Sequence, residues 1–215
     1  MNIGIDIDDT ISNSFESVFT NAQKSDIEFG NSGDPKQYGK IADHNYIETM
    51  YPDWSKEQTD LFWERYFIDM LTIATPKDEV AEILKKLKQE GNNIIIITSR
   101  YEFEEDSHLV QNYTQKWLEK NNIVYDKLVM NAQNKLNASK ENDVEMFIDD
   151  SVAHCRNVQS GGIITFLYTS TCNQAVEAND LQRVYSWPQI YDKYKKNNLG
   201  VSKKVELCYN VCVVK

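Results

Sequence analysis

Acidic residues are concentrated in two short stretches of the chain, and each stretch ends an apolar run. The first is IGIDIDDTIS near the start of the chain, and the second is VEMFIDD. Their carboxylates belong to Asp6, Asp8, Asp9, Asp149 and Asp150. Burying an unpaired charge is expensive, and neighbouring carboxylates repel each other. The pattern therefore indicates a functional site in which something offsets the negative charge.

The spacing of the first group predicts two roles. Asp6 and Asp8 are two positions apart, so their side chains point to the same side of an extended chain. Asp9 should point the other way and belong to the turn and the start of the next helix. If the two acidic runs lie side by side, four carboxylates converge on one pocket. Oxygen ligands of this kind suit Mg²⁺, which would relieve the repulsion.

A third apolar run, NNIIIITSR, ends in Thr98, Ser99 and Arg100. A site with paired carboxylates can transfer a phosphoryl group when one Asp attacks phosphorus and the other donates and accepts protons. Thr98 offers a hydroxyl to the phosphoryl oxygens, and a lysine can offset charge in the transition state. Lys135 and Lys140 both precede the second acidic run, and either can supply that lysine.

Apolar runs that alternate with amphipathic helical segments predict an α/β fold with a doubly wound parallel sheet. Ligands bind at the carboxyl ends of such strands, where the strand order reverses. The rhythm is interrupted by residues 13–74, which we expect to be an inserted helical lobe. The core should comprise residues 1–12 and 75–198, with Thr75 and Pro76 starting its first helix after the lobe. Residues 199–215 alternate apolar and polar, which is consistent with an edge strand, a segment for self-association in a homodimer, or a poorly ordered end.

Three stretches together resemble the haloacid dehalogenase superfamily of phosphohydrolases. DIDDT fits its first motif, IIIITS its second and FIDDS its fourth, while the third motif is a lysine at loose spacing. We favour Lys135 for that position because it closely follows a predicted strand end, with Lys140 as the alternate. The resemblance covers the core from end to end and implies a doubly wound (Rossmann-like) sheet with a cap after the first strand.

The resemblance also implies roles for individual residues. Asp6 is the expected nucleophile that becomes an aspartyl-phosphate, and Asp8 is the expected general acid and base. Asp149, Asp6 and the backbone carbonyl of Asp8 would hold Mg²⁺, and Asp150 would bind or orient a metal-bound water.

Within the superfamily the chain looks most like bacterial relatives of the 5'(3')-deoxyribonucleotidases. The small helical lobe, the TS after the second strand and the lysine followed by IDD support this. Those enzymes commonly have proline where this chain has Arg100, which could clamp a phosphate. Phe15, Ser99 and Arg100 are the candidates for contacts with the substrate, and a sugar phosphate or another small metabolite is the alternative to a nucleotide.

Composition restricts the partners. The formal net charge of -10 over 215 residues disfavours nucleic-acid polymers and anionic membranes. The four cysteines form no CxxC pair, and the three histidines are scattered, which disfavours a zinc hydrolase or a Ser-His-Asp enzyme. With no secretory signal or membrane span expected, we predict a cytoplasmic protein that binds a small phosphomonoester.

A receiver domain that accepts a phosphoryl group is the rival class, since it also gathers aspartates, a threonine and a lysine over a parallel sheet. It would carry its acceptor on a middle strand and would have no lobe after the acidic pair. A non-catalytic binding protein with this fold would have no need of both Asp6 and Asp8. In the lobe, Phe62/Tyr66 and Trp63/Phe67 form two stripes, of which we expect one to be core and the other to close over the site.

Overall fold

The computed structural model describes residues 1–41, 46–102 and 108–196, and the predicted tail at 199–215 lies outside the described residues. Within these ranges, the chain forms one six-stranded sheet in which all pairings are parallel. The strands are β1 (Asn2–Ile5), β2 (Asn93–Ile97), β3 (Lys127–Val129), β4 (Val144–Asp149), β5 (Ile164–Tyr168) and β6 (Gln182–Val184). Their order, β3-β2-β1-β4-β5-β6, confirms the doubly wound α/β fold predicted from the sequence.

Seven helices connect and cover these strands within the described residues: α1 (Ser14–Glu28), α2 (Tyr46–Met50), α3 (Lys56–Ile73), α4 (Val80–Gln89), α5 (Leu109–Lys120), α6 (Lys135–Glu141) and α7 (Val152–Ser160). Residues 187–196 are also helical. Throughout the residues that the structure describes, each helix is too short or too polar to cross a membrane.

The sheet carries a separate apolar layer on each side. One layer packs β1 against α4, α5 and residues 187–196, with Trp117 and Trp187 almost fully buried. The other packs β2 and β4 against α6 and α7, around Phe147. Gly4 lies between β2 and β4, where an added Cβ would sit 2.9 Å from Cδ2 of Phe147. The central strand therefore has no spare volume on this face.

The helices α1, α2 and α3 form a lobe with its own apolar core between β1 and α4. The two chain segments that join it to the sheet pair with each other: Asn13 donates its backbone N–H to the Thr75 carbonyl at 2.8 Å, and Ser12 forms a β-bridge with Pro76. This pairing explains why the prediction that Thr75 and Pro76 start a helix is wrong. Pro76 lies in an extended bridge, and α4 begins at Val80.

Candidate active site

The carboxyl ends of three adjacent strands, β2, β1 and β4, meet below the lobe. A cavity of about 640 Å³ lies between this edge of the sheet and the lobe. Its floor includes Asp6, Asp8, Thr98, Asp149 and Asp150, which come from all three strand ends. The topology therefore brings together side chains that lie far apart in the sequence.

Asp6 lies on the cavity floor and is buried. Its Oδ1 accepts a hydrogen bond from Nζ of Lys135 at 2.5 Å. Burial raises the pKa of Asp6 from 3.8 to about 6; the positive charge of Lys135 lowers it in part, and the neighbours Asp149 and Asp8 raise it further. In the absence of a metal, this carboxyl therefore loses its proton only near pH 6.

Lys135 is the lysine that reaches the site. Its side chain is 0% exposed, and Nζ also donates to the carbonyl of Ile97 at 2.5 Å and lies 3.9 Å from Oδ2 of Asp149. It is the first residue of α6, whose N-cap is Asn134. Lys140, the alternate from the sequence, is exposed near the other end of the same helix.

Asp8 is held by Arg100 and Ser14. Nε of Arg100 donates to Oδ2 of Asp8 at 2.9 Å and Nη2 donates to Oδ1 at 2.7 Å, so the two groups form a bidentate pair. The Ser14 hydroxyl donates to Oδ1 at 2.6 Å. Burial alone would raise the pKa of Asp8, but the charge and hydrogen bonds of Arg100 outweigh it and hold that pKa below 3.8.

This pairing differs from the expectation that Arg100 clamps the substrate phosphate. The guanidinium is directed at Asp8 and, through Nη1, at the Thr114 hydroxyl at 3.1 Å. Its side chain is 3% exposed. Arg100 still belongs to the cavity wall, but its hydrogen bonds organise the protein's own carboxylate.

In the second acidic pair, Asp149 is stabilised by α7 and its N-cap residue. Oδ1 of Asp149 accepts the backbone N–H of Ser151 at 2.8 Å, and its Oδ2 lies 3.2 Å from Nδ1 of His154. Burial raises the pKa of Asp149, but His154 and Lys135 offset this and the net pKa lies below 3.8. For Asp150, burial and the nearby carboxylates raise the pKa well above 3.8.

The carboxylates of Asp6, Asp149 and Asp150 fit a divalent cation. One oxygen from each lies within 4.8 Å of the others, and all three residues are buried. An all-oxygen donor set in this arrangement suits a hard cation such as Mg²⁺. Asp8 does not belong to this group of three carboxylates, and its two oxygens accept from Arg100.

The two hydroxyl residues at the end of β2 line the cavity. Oγ1 of Thr98 accepts the backbone N–H of Arg100 at 3.2 Å, which leaves its proton available to a ligand. The Ser99 hydroxyl donates to the carbonyl of Ala132 at 3.2 Å and is half-buried. Thr98 is therefore the better placed of the two to donate to a phosphoryl oxygen.

Phe15 is placed differently from the sequence prediction. Phe15, expected to line the pocket, is 1% exposed and packs among Phe19, Tyr38 and Tyr46 in the lobe. It follows the turn after β1 as part of α1 and faces the lobe core, so that Tyr46 forms the cavity wall in front of it.

Asp9 was expected to point away from the site and belong to the helix start. Its Oδ1 does accept the backbone N–H of Phe15 at 3.1 Å, near the start of α1. However, Asp9 has a left-handed φ of 57°, which turns the chain out of the strand and ends the extended alternation. Its carboxylate consequently lies within 4.8 Å of Asp150 and Cys172, behind the cavity floor.

Sequence reasoning missed His154, since its only signal is its position in the first turn of the helix after FIDD. The aromatic stripes separate as expected: Phe62 is fully buried in the lobe, whereas Trp63 and Phe67 line the cavity. Together with Tyr46 and Tyr101, they supply the aromatic part of a cavity wall whose other apolar members are Ile41, Ile68, Met70 and Leu109.

Comparison with known proteins identifies the family. The model of the haloacid dehalogenase-like hydrolases matches residues 3–132, which is more than half of the chain. That range includes β1, the lobe and the end of β2, and therefore Asp6, Asp8 and Thr98. No curated protein sequence matches the chain.

Solved structures share the fold over nearly their whole length. A hydrolase of the haloacid dehalogenase-like family from Streptococcus pneumoniae is 14% identical, with a TM-score of 0.62, and the match covers 90% of this chain and 97% of that one. A "predicted phosphoglycolate phosphatase" from Haemophilus somnus is 14% identical with a TM-score of 0.64, covering 89% and 96%. A "predicted phosphatase" from Clostridium acetobutylicum is 14% identical with a TM-score of 0.62, covering 91% and 98%.

Proposed function

The chain belongs to the haloacid dehalogenase-like hydrolase family, and we propose that it is a Mg²⁺-dependent phosphomonoesterase that acts on a nucleoside monophosphate. The observation that carries this proposal is the position of Asp6. Its carboxylate lies on the floor of a cavity whose wall is apolar and partly aromatic, beside the buried Lys135 and within reach of Asp149 and Asp150. A nucleophile, a fixed positive charge and a cation site are thus available at one point.

In the first half-reaction, an oxygen of Asp6 forms a bond to phosphorus while the bond from phosphorus to the leaving oxygen breaks. Asp8 gives the leaving oxygen its proton, and the nucleoside departs. In the second, Asp8 takes a proton from water, whose oxygen attacks phosphorus and releases Asp6 and inorganic phosphate. A bound Mg²⁺ would neutralise charge on the phosphoryl oxygens.

The pairing with Arg100 affects both proton transfers of Asp8, as the general acid and as the general base. The low pKa of Asp8 favours its ionised form, which suits the second half-reaction, where it accepts a proton. Donation in the first half-reaction requires that a proton is taken up when substrate binds. Lys135 meanwhile stabilises the ionised, nucleophilic form of Asp6 because it donates directly to its Oδ1.

Two further features support the proposal over its rivals. A receiver domain would have no use for a lobe that encloses its acceptor aspartate. The aromatic wall formed in part by Trp63 and Phe67 suits a flat base, because every base has a π-face on which an aromatic side chain can stack. We also propose a cytoplasmic location, in keeping with the free buried thiols of Cys155 and Cys172.

The test is a phosphate-release screen over nucleoside monophosphates, sugar phosphates and phosphoserine, with Mg²⁺ and with a chelator. We expect the highest kcat/KM for a nucleotide and loss of turnover when Mg²⁺ is removed. Asp6→Asn should abolish turnover while its circular dichroism stays that of a folded protein. Full activity of Asp6→Asn would refute the mechanism, whereas a clear maximum on a sugar phosphate would refute only the substrate.

A further inference from the structure

Within the described residues, the cavity contains few positive groups, and each of these is engaged by a carboxylate of the protein. Among its described lining residues, the groups able to carry positive charge are Arg100 and His154. Arg100 forms the bidentate pair with Asp8, and His154 lies 3.2 Å from Asp149. Lys135 lies behind Asp6, with its side chain fully buried. These three cations serve the end of the cavity where the phosphate would bind.

The lobe side of the cavity carries negative charge. Asp60 and Glu64 are one turn apart on α3, so they lie on the same face of the helix, and both line the cavity. Asp60 is offset by Lys56, whose Nζ lies 2.5 Å from its Oδ2. Glu64 is exposed and has no ion-pair partner among the described residues. Glu64 therefore contributes an unbalanced negative charge at the rim.

The same turns of α3 also supply apolar surface. Trp63 and Phe67 line the cavity beside Glu64, and Tyr101 and Leu109 lie on the wall as well. A flat apolar leaving group can bury its faces there. A carboxylate or second phosphate on the leaving group would instead lose water without gaining a positive partner, which is unfavourable.

We propose that the cavity discriminates by the charge of the leaving group: it accepts phosphomonoesters with an uncharged or cationic aromatic leaving group and rejects anionic ones, and Glu64 is the residue that sets this preference. The inference rests on the proposed phosphomonoesterase function and specifies its substrate class. It separates this chain from any enzyme whose substrate carries a carboxylate next to the phosphate, because such a substrate needs a cation that the described wall does not supply.

The test uses three aryl phosphates that differ only in the group opposite the ester: phenyl phosphate, 4-carboxyphenyl phosphate and 4-(aminomethyl)phenyl phosphate. With Mg²⁺ at pH 7.5, kcat/KM of the folded wild-type protein should be lowest for the carboxylated ester. In Glu64→Lys, the ratio of carboxylated to neutral substrate should rise by about three- to tenfold, the size expected when one solvent-accessible charge is reversed. Comparing ratios between proteins cancels the intrinsic reactivity of each ester.

Asp69→Lys is the matched control, because Asp69 is an exposed acid of α3 that does not line the cavity. It makes the same change in net charge and should leave the ratio within twofold of wild type. Equal rates on the carboxylated and neutral esters in wild type, or the same ratio in Glu64→Lys as in Asp69→Lys, would overturn the inference. Absence of turnover on all three esters would instead overturn the phosphomonoesterase function on which it depends.

Discussion

Lys135→Met is the substitution that most directly tests how the buried charges of the site depend on one another. Methionine has nearly the length of the lysine stem but cannot donate or carry charge. The change removes the hydrogen bonds of Nζ to Oδ1 of Asp6 and to the carbonyl of Ile97. We expect turnover to fall by about 100-fold or more, as when one preorganised donor is removed from an active site.

The cost in stability should depend on pH. At pH 7.5 Asp6, with a pKa of about 6, is ionised, and a buried carboxylate that loses its partner costs about 3–5 kcal/mol. At pH 5.0, below the pKa of about 6, Asp6 is mostly protonated before the substitution is made. The loss should then be smaller, about 1.5–3 kcal/mol, the value of hydrogen bonds from a charged donor to neutral acceptors.

The direction of this pH dependence follows from the linkage between proton binding and folding. Lys135 lowers the pKa of Asp6, so its removal moves that pKa further above 3.8. A carboxyl whose pKa is raised in the folded state binds more protons there than in the unfolded chain, so it removes stability as the pH rises through that range. The substituted protein should therefore lose more stability than wild type between pH 5.0 and pH 7.5.

The assay is urea unfolding of both proteins at the two pH values in the presence of a chelator. Lys140→Met is the control, since it removes an exposed lysine from the same helix. It should change the free energy of unfolding by less than about 0.5 kcal/mol at either pH. An equal loss for Lys135→Met at both pH values, or a larger loss at pH 5.0, would refute the reasoning.

Two further predictions concern the metal and the sheet. Because the pKa of Asp6 is about 6, Mg²⁺ must displace a proton in order to bind at pH 5.0. The Kd for Mg²⁺, measured by calorimetry, should therefore be about tenfold or more higher at pH 5.0 than at pH 7.5. Equal Kd values would contradict the proposed ligand set. Gly4→Ala places a Cβ 2.9 Å from Phe147 and 3.1 Å from Val144. The substitution should therefore lower the free energy of unfolding by about 1–3 kcal/mol. An unchanged midpoint of urea unfolding would show that this face of the sheet can relax.

The sequence predicts the elements of the fold whose signals are local. Buried parallel strands are continuous apolar runs, and the residues that end them are therefore visible without a structure. β6 is the exception: Gln182–Val184 contains no apolar run and is a strand because it pairs with β5. Its position is set by backbone hydrogen bonds to a neighbouring strand, which leave no mark on three residues of sequence.

The site is harder to predict where the role of a residue depends on which side chain it pairs with. The choice between Lys135 and Lys140 depends on which end of α6 lies at the carboxyl ends of the strands, and the pairing of Arg100 with Asp8 depends on two strand ends lying side by side. Asp9 contacts the start of α1 as predicted, although the left-handed turn at Asp9 ends the extended alternation on which that prediction was based. Contacts across the sheet thus carry information that spacing along one strand does not.

The central position of β1 has a consequence for biosynthesis. Its backbone partners are Asn93 and its neighbours on one side and residues from Val144 onward on the other. Among the described strands of the sheet, β1 is made before its two partners and must wait for both, and its apolar run stays open to other chains during that time. Nascent chains released before β4 is made should for this reason be clients of chaperones, and slow translation before residue 144 should lower the yield of folded protein.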